Sequence, residues 1–165
     1  MVQLYLIRHA QAEDRGDKWP DDTKRPLTDG GRRRMRKAAK GLVRLSARFD
    51  VVLTSPLARA QQTAEVVAAA FETPPPVVAA ASLAPDGNFT DFLADLQQHA
   101  RYTRIALVGH EPSLGEFASR LTKARHRLEF KKGGVCRIDI ESIPPSGRGV
   151  QRWFVTPAML RLVKD

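Results

Sequence analysis

The sequence predicts a three-layer α/β/α sandwich around a mostly parallel central sheet. Short apolar runs of strand length alternate with longer stretches of helical periodicity, which is the pattern of α/β proteins. Several of these runs end directly in polar residues, as strands do at the carboxyl edge of a sheet that binds a ligand. The chain has 165 residues, 42% of them hydrophobic, which is enough for one core. We therefore expect a single domain over residues 1–165.

A strand and a helix are expected first. Residues 2–8 contain a short apolar run whose length suits a buried strand better than a helix. A polar loop over 12–26 follows, and Thr28 is placed to cap a helix in which apolar residues recur at helical spacing. That helix is expected to end near Ser46 or Ala47.

The second predicted strand leads directly into a second helix. Residues 50–54 have the composition of a buried strand, and Ser55 and Pro56 follow as the expected N-cap and first helical residue. The helix is expected to extend to about Phe71, where a proline-rich segment breaks it. A third, short strand is then expected over 77–81.

The C-terminal half continues the alternation. A helix over about 89–100 is expected to precede the best strand of the chain, 105–109, and Pro112 lies where the next helix should begin. Residues 135–140 and 150–155 are separated by a turn rich in proline and glycine. We expect these two segments to be the strands that close the sheet.

Composition narrows the classes of function. The longest apolar stretches fall far short of the roughly 20 residues that a membrane span needs, and the N-terminus lacks the features of a secretory signal. We therefore expect a cytoplasmic protein without a membrane partner. Cys136 is the one cysteine, which excludes an internal disulfide and a multi-thiolate metal site.

Positive charge is concentrated in the first predicted helix. The formal net charge of +9 is compatible with a nucleic acid, a membrane surface or an anionic substrate as the partner. The basic residues of this helix are Arg32, Arg33, Arg34, Arg36, Lys37, Lys40 and Arg44. A solvated helix face is the simplest interpretation, and a docking surface for an acidic partner is the alternative.

Polar residues at three strand ends suit phosphoryl transfer without a metal. Such a site needs a nucleophile and several fixed donors for the non-bridging oxygens of the phosphoryl group. His9 can attack phosphorus as a neutral imidazole if a backbone carbonyl holds its other ring nitrogen. Arg8 and Arg59 offer planar guanidinium groups that match phosphate oxygens. His110 can donate to the transferring group and stabilise charge as the bond to the leaving group breaks.

Several segments resemble the histidine phosphatase superfamily, and the resemblance spans nearly the whole chain. They are Leu6-Ile7-Arg8-His9-Ala10, where many members have glycine at the position of Ala10, Arg25-Pro26-Leu27-Thr28-Asp29-Gly30-Gly31, Thr54-Ser55-Pro56-Leu57-Ala58-Arg59-Ala60-Gln61-Gln62-Thr63-Ala64 and Val108-Gly109-His110-Glu111-Pro112. The resemblance implies a phosphoglycerate mutase-like fold and a covalent phosphoryl intermediate on His9. It also implies that Arg8, Arg59 and His110 form the phosphate pocket.

Within the superfamily, the chain resembles the short SixA-type bacterial phosphohistidine phosphatases. The short length, residues 25–28 and residues 83–88 carry this resemblance. It implies dephosphorylation of phosphohistidine in a protein, for example in a histidine-containing phosphotransfer domain. Arg25 is either a contact to such a substrate or one half of a surface ion pair.

The general acid is not evident from the sequence. Many superfamily members have a glutamate near the middle of the chain as proton donor, whereas no glutamate occurs here between Glu72 and Glu111. Asp86 and Glu111 are the candidates, although Asp86 is equally well explained as a turn residue before Gly87. A weak acid favours phosphohistidine as substrate, because a protonated imidazole leaves phosphorus more readily than an alkoxide does.

Three other functions are compatible with parts of the sequence. A small-molecule phosphomonoesterase of the same superfamily would act on a sugar phosphate or nucleotide. A nucleic-acid-binding module would use the basic helix, but no zinc-finger spacing or RNP motif is present. A scaffold that binds phosphorylated partners without turnover would not need the complete set of arginines and histidines. No metal-ligand spacing is visible, so we expect neither a metal nor another cofactor.

Overall fold

The computed structural model describes residues 1–164, which form a six-stranded sheet flanked by helices. The strands are β1 (Val2–Arg8), β2 (Val51–Thr54), β3 (Val77–Ala79), β4 (Arg104–Gly109), β5 (Val135–Ile140) and β6 (Val150–Val155). The helices are α1 (Asp29–Arg44), α2 (Ala58–Ala68), α3 (Phe89–Gln98), α4 (Ser113–Thr122) and α5 (Pro157–Leu162). Short 3-10 turns cover Asp22–Lys24 and Ala81–Leu83.

The sheet is mixed, with the parallel strands at its centre and one edge. Its order is β3-β2-β4-β1-β5-β6. Strands β3, β2, β4 and β1 are parallel, whereas β5 and β6 pair antiparallel. Arg8 pairs with Gly109, and Thr54 with Val108, so the carboxyl ends of β1, β2 and β4 lie side by side. The predicted α/β fold is confirmed.

Both faces of the sheet are covered, which gives three layers. Alternate residues of a strand point to opposite faces. Tyr5 and Ile7 accordingly belong to one apolar cluster, with buried side chains of α1, α2 and α5. Leu4 and Leu6 belong to a second cluster, with buried side chains of α3 and α4. No helix within residues 1–164 is long and apolar enough to cross a membrane.

The start of α2 differs from the prediction. Ser55 is not its N-cap: the helix begins at Ala58, and Leu57 is the cap. The backbone N–H of Ser55 instead donates to Val108 O (2.9 Å), which prolongs the pairing of β2 with β4. Its hydroxyl oxygen accepts from the Leu57 N–H (3.2 Å). Ser55 is therefore held at the sheet edge rather than in a helix.

Several ends of elements also differ, and one helix was not predicted. Helix α1 starts after Thr28 as expected, but it ends at Arg44, and α2 ends at Ala68. Strand β3 stops at Ala79 because a 3-10 turn begins at Ala81. Helix α5 was missed although Thr156 caps it and proline is its first residue, since only six residues form it and α1 supplies the surface that buries Leu160.

Candidate active site

A pocket of about 320 Å³ opens at the carboxyl ends of β1, β2 and β4. The structure brings Arg8, His9, Arg59 and His110, the set predicted from the sequence, together in it. The other lining residues are Glu13, Asp14, Arg15, Arg25, Pro85, Glu111 and Lys132. Arg8 ends β1, and His9 and His110 directly follow β1 and β4. Arg59 lies in the first turn of α2.

His9 is held as a neutral imidazole with one nitrogen free. Its Nδ1 lies 2.7 Å from the carbonyl oxygen of Ala10. A carbonyl can only accept, so Nδ1 carries the proton and Nε2 has an unshared electron pair. Nε2 has no hydrogen-bond partner in the part of the chain described, and the residue as a whole is 7% exposed. Burial, followed by the charges of Arg59 and Arg8, lowers the pKa of His9 to about 4, so the ring is neutral at pH 7.

Arg8 and Arg59 each retain a buried donor without a partner. Arg8 Nη1 donates to Phe130 O (2.6 Å). Arg59 Nη1 donates to Asp22 O (2.9 Å), and its Nη2 donates to Asp22 Oδ2 (3.0 Å). The Nε atom of each arginine is buried and makes no hydrogen bond within residues 1–164. Because such donors are normally satisfied, two of them beside one pocket indicate a site for an anion.

Ser55 orients His110, a role that the sequence did not suggest. The Ser55 hydroxyl lies 2.8 Å from His110 Nε2, and it is fully buried. Because the hydroxyl hydrogen has no other acceptor among the described residues, it donates to Nε2. This places the imidazole proton on Nδ1. Burial, followed by the proximity of His9 and Arg59, lowers the pKa of His110 to about 3, so the ring is a neutral donor.

Arg25 lines the pocket, but its guanidinium group is already engaged. Its Nε donates to Asp22 Oδ1 (2.7 Å), and its Nη1 donates to Glu13 O (2.6 Å). Of the two expected fates the structure shows the ion pair, although Arg25 is buried rather than on the surface. Asp22 therefore joins Arg25 to Arg59. The pKa of the Asp22 carboxyl is lowered, mainly by the hydrogen bond that it accepts from Arg25. The one sequence signal for Asp22 was its position three residues before Arg25.

The two general-acid candidates lie in different places. Asp86 does not line the active-site pocket; it lines a separate depression with Asp91 and Asp95. Glu111 does line the active-site pocket, and its Oε1 accepts from the Gly115 N–H (3.0 Å). Burial raises the pKa of Glu111 despite the opposing charge of Arg8. Of the two carboxyl groups, Glu111 alone is placed to give a proton to a leaving group in this pocket.

Lys132 was also missed by sequence reasoning. It lines the pocket next to His9 and adds to the positive charge there. The neighbouring Gly133 positions it: with a φ of +79°, its N–H donates to the carbonyl oxygens of Arg8 (3.0 Å) and His9 (3.1 Å). The local sequence, two lysines followed by two glycines, does not predict that Lys132 reaches the pocket, because more than 120 residues separate Lys132 from His9.

Comparison with known proteins agrees with the fold. The histidine phosphatase superfamily (branch 1) family model matches residues 4–84. An uncharacterized protein of Picosynechococcus sp. (strain ATCC 27264 / PCC 7002 / PR-6) is 43% identical over 138 residues, covering 81% of this chain and 82% of that protein. Phosphohistidine phosphatase SixA of Escherichia coli K12 is 26% identical over 165 residues, covering 99% of both chains.

Solved structures give the same result. The protein histidine phosphatase SixA complexed with tungstate superposes with a TM-score of 0.85 at 25% identity, covering 96% of this chain and 99% of that one. A putative α-ribazole-5'-P phosphatase of E. coli shares the fold, with a TM-score of 0.72 at 22% identity and full coverage of both chains. Fold and site thus define a histidine phosphatase-type enzyme. The chain belongs to the histidine phosphatase superfamily, and within it is similar to SixA.

Replacing Ser55 by alanine is expected to lower kcat by roughly 10- to 100-fold, the cost of misplacing a catalytic group by up to about 1 Å. The ring of His110 loses the donor that fixes its tautomer. The ¹⁵N shifts of the ring should show the Nδ1–H form in the native protein and a mixture in the variant. Ser82→Ala is the matched control, because Ser82 is also buried but its hydroxyl has no partner within residues 1–164 and lies outside the pocket. An unchanged tautomer in Ser55→Ala would contradict the assignment.

Proposed function

We propose that the protein is a phosphatase that removes the phosphoryl group from phosphohistidine in a protein substrate. One observation carries the proposal. Arg8 and Arg59, each with a buried and unpaired Nε atom, line the same pocket as the neutral His9. This arrangement can hold a tetrahedral anion against a nucleophile. The similar SixA structure is complexed with tungstate, which is such an anion.

The transfer proceeds in two steps. In the first, the lone pair of His9 Nε2 attacks phosphorus, the bond from phosphorus to the leaving group breaks, and the leaving group takes the electron pair. The negative charge on the non-bridging oxygens is stabilised by Arg8, Arg59 and the Nδ1–H of His110. In the second step, water attacks the phosphorus and the bond from phosphorus to His9 Nε2 breaks. The electron pair returns to Nε2, which restores the neutral imidazole, and the product leaves as dihydrogen phosphate. The carbonyl of Ala10 keeps the ring oriented throughout and stabilises its positive charge in the intermediate.

The nature of the leaving group decides the preferred substrate. An alkoxide needs a proton from the enzyme, whereas a phosphohistidine whose ring is protonated leaves as neutral imidazole. Glu111 is the one carboxyl group among the proposed acids that lines the pocket, and its Oε1 is already engaged with a backbone N–H. We therefore assign the substrate to the class that depends least on an enzymatic acid.

A comparison of substrates tests this assignment. We expect kcat/KM to be highest for a phosphohistidine protein, intermediate for p-nitrophenyl phosphate and lowest for a sugar phosphate, measured in one buffer. The aryl ester is intermediate because its leaving group is stable without protonation. A histidine-containing phosphotransfer domain, phosphorylated with phosphoramidate, serves as the protein substrate. If the sugar phosphate is the best of the three, the phosphohistidine assignment is wrong.

The second candidate function is a small-molecule phosphomonoesterase. The raised pKa of Glu111 favours it, because a carboxyl group that keeps its proton closer to neutral pH is the better acid for an alkyl ester. The fold is compatible with both functions, since the α-ribazole-5'-P phosphatase shares it. The same comparison of substrates separates the two candidates.

Activity is expected to persist in a metal chelator. Arg8, Arg59 and Lys132 supply the positive charge of the pocket, and no group of three potential metal ligands lies together in residues 1–164. Turnover of p-nitrophenyl phosphate should therefore be the same before and after incubation with EDTA and removal of the chelate. Loss of activity that magnesium or zinc restores would contradict this prediction.

A further inference from the structure

A second groove, of about 380 Å³, lies between α1 and α2, outside the active-site pocket. It is lined by Arg32, Arg36 and Lys40 of α1, by Glu65 and Val66 of α2, and by Ala69 and Ala70 after it. Because the three basic residues are spaced four apart, they form one row along the helix. The groove therefore combines a row of cations with a largely apolar floor.

The basic row makes no polar side-chain contact within residues 1–164. Arg32, Arg36 and Lys40 make no side-chain hydrogen bond or ion pair with any residue from 1 to 164. Arg25, Arg59, Arg104 and Arg152, by contrast, all pair with aspartates. Like charges four residues apart on a helix repel each other. The row thus opposes the stability of α1 and leaves three donors available to a partner.

The chemistry of the groove favours one kind of occupant. The cations match carboxylates, and the floor formed by Val66, Ala69 and Ala70 matches small apolar side chains. The carboxylate of Glu65 lies in the same groove, so the groove does not offer the continuous positive surface that a nucleic acid or an anionic membrane favours. An acidic amphipathic helix of a protein provides carboxylates and an apolar stripe together, at helical spacing.

Helix α1, which carries the basic row, starts at the sheet edge that carries the active site. Helix α1 starts where Thr28 N donates to Gln11 O (3.1 Å), two residues after His9. The N–H of Leu27 donates to Gln62 Oε1 (2.9 Å), which ties the start of α1 to α2. The Arg32 end of the row thus lies next to the strand ends that carry the pocket. The docking proposal therefore places the phosphorylated side chain of the substrate beyond the Arg32 end of the seated helix.

We propose that the α1–α2 groove docks an acidic helix of the phosphorylated protein substrate, an inference that rests on the proposed function. Its test compares two double variants of the full chain. Arg36→Glu with Lys40→Glu reverses two charges in the groove. Arg33→Glu with Lys37→Glu reverses the same residue types at the same spacing on an exposed face that does not line the groove.

The substrates are the phosphorylated phosphotransfer domain described above and p-nitrophenyl phosphate. We expect the groove variant to raise KM for the protein substrate at least tenfold with little change in kcat, and the control variant to raise it less than threefold. Both variants should retain the native kcat/KM for p-nitrophenyl phosphate, because neither alters the pocket. Ala69→Glu adds a carboxylate to the groove from the α2 side. It should also raise KM for the phosphorylated domain and leave KM for p-nitrophenyl phosphate unchanged.

Equal increases in KM for the phosphorylated domain in the two double variants would overturn the docking proposal, because they would show general charge attraction without a specific surface. An unchanged KM in the groove variant, with loss of binding to a double-stranded DNA fragment, would assign the row to nucleic acid instead. If the native protein hydrolyses p-nitrophenyl phosphate but not the phosphorylated domain, the proposed protein substrate fails and the groove with it. If all variants hydrolyse the phosphorylated domain equally well, the docking proposal is wrong and the proposed function is unaffected.

Discussion

Replacing His9 by alanine is expected to abolish turnover, with a loss on the order of 10⁴-fold or more, as for other covalent nucleophiles. No other group in the pocket can accept the phosphoryl group in the same way, because the one other ring there, His110, has its Nε2 engaged with Ser55. His9 belongs to neither apolar core cluster, so the fold should be unchanged. Thermal unfolding and kcat, measured on the same preparation, test both expectations.

The covalent intermediate gives a direct measurement. After a reaction with ³²P-labelled substrate and an alkaline quench, which preserves phosphohistidine, the label should be on His9 and absent from the His9→Ala variant. His126→Ala is the control, because His126 is exposed and does not line the pocket. A label on Ser55 or Cys136, or residual turnover close to that of the native protein, would refute His9 as the nucleophile.

Replacing Arg59 by alanine should lower kcat/KM by about 10²- to 10³-fold, the usual cost of removing one preorganised donor to a developing anion. The loss has a specific cause, because Asp22 accepts one hydrogen bond from each Nη group of Arg59 while the buried Nε–H has no partner within residues 1–164. Arg59→Lys keeps the positive charge but lacks the planar guanidinium donors, so its kcat/KM should lie between those of Arg59→Ala and the native protein. Steady-state kinetics on p-nitrophenyl phosphate measure the effect.

Arg25 provides the matched control for this substitution. It also lines the pocket and also pairs with Asp22, but its Nε and Nη1 are bonded to Asp22 and Glu13. Arg25→Ala should therefore reduce kcat/KM much less than Arg59→Ala does. Similar losses in the two variants would mean that Arg59 acts by holding Asp22 in place, and not by binding the phosphoryl group.

The sequence was sufficient for the elements whose signals are local. Strands β1, β5 and β6 have the predicted limits, and α1 begins after its predicted cap. Arg8, His9, Arg59 and His110 were predicted to converge because the segments that carry them lie at the ends of buried strands. The carboxyl ends of parallel strands lie at one edge of a sheet. Residues at the ends of three such strands are therefore expected to line one pocket. The family resemblance selected the same four residues.

The tertiary structure decided what depends on contacts between distant segments. Ser55 has the local features of a helix cap, yet pairing with β4 and the bond to His110 hold it at the sheet edge. Asp22 and Lys132 come from loops that reach the pocket only in the folded chain. Asp86 and Glu111 were equivalent as candidate acids in the sequence, whereas in the fold Glu111 is half-buried beside Arg8 and Asp86 lies in a separate depression. Local propensity sets the elements, whereas burial and the pairing of polar groups, which set the chemistry of the site, exist only after long-range contacts have formed.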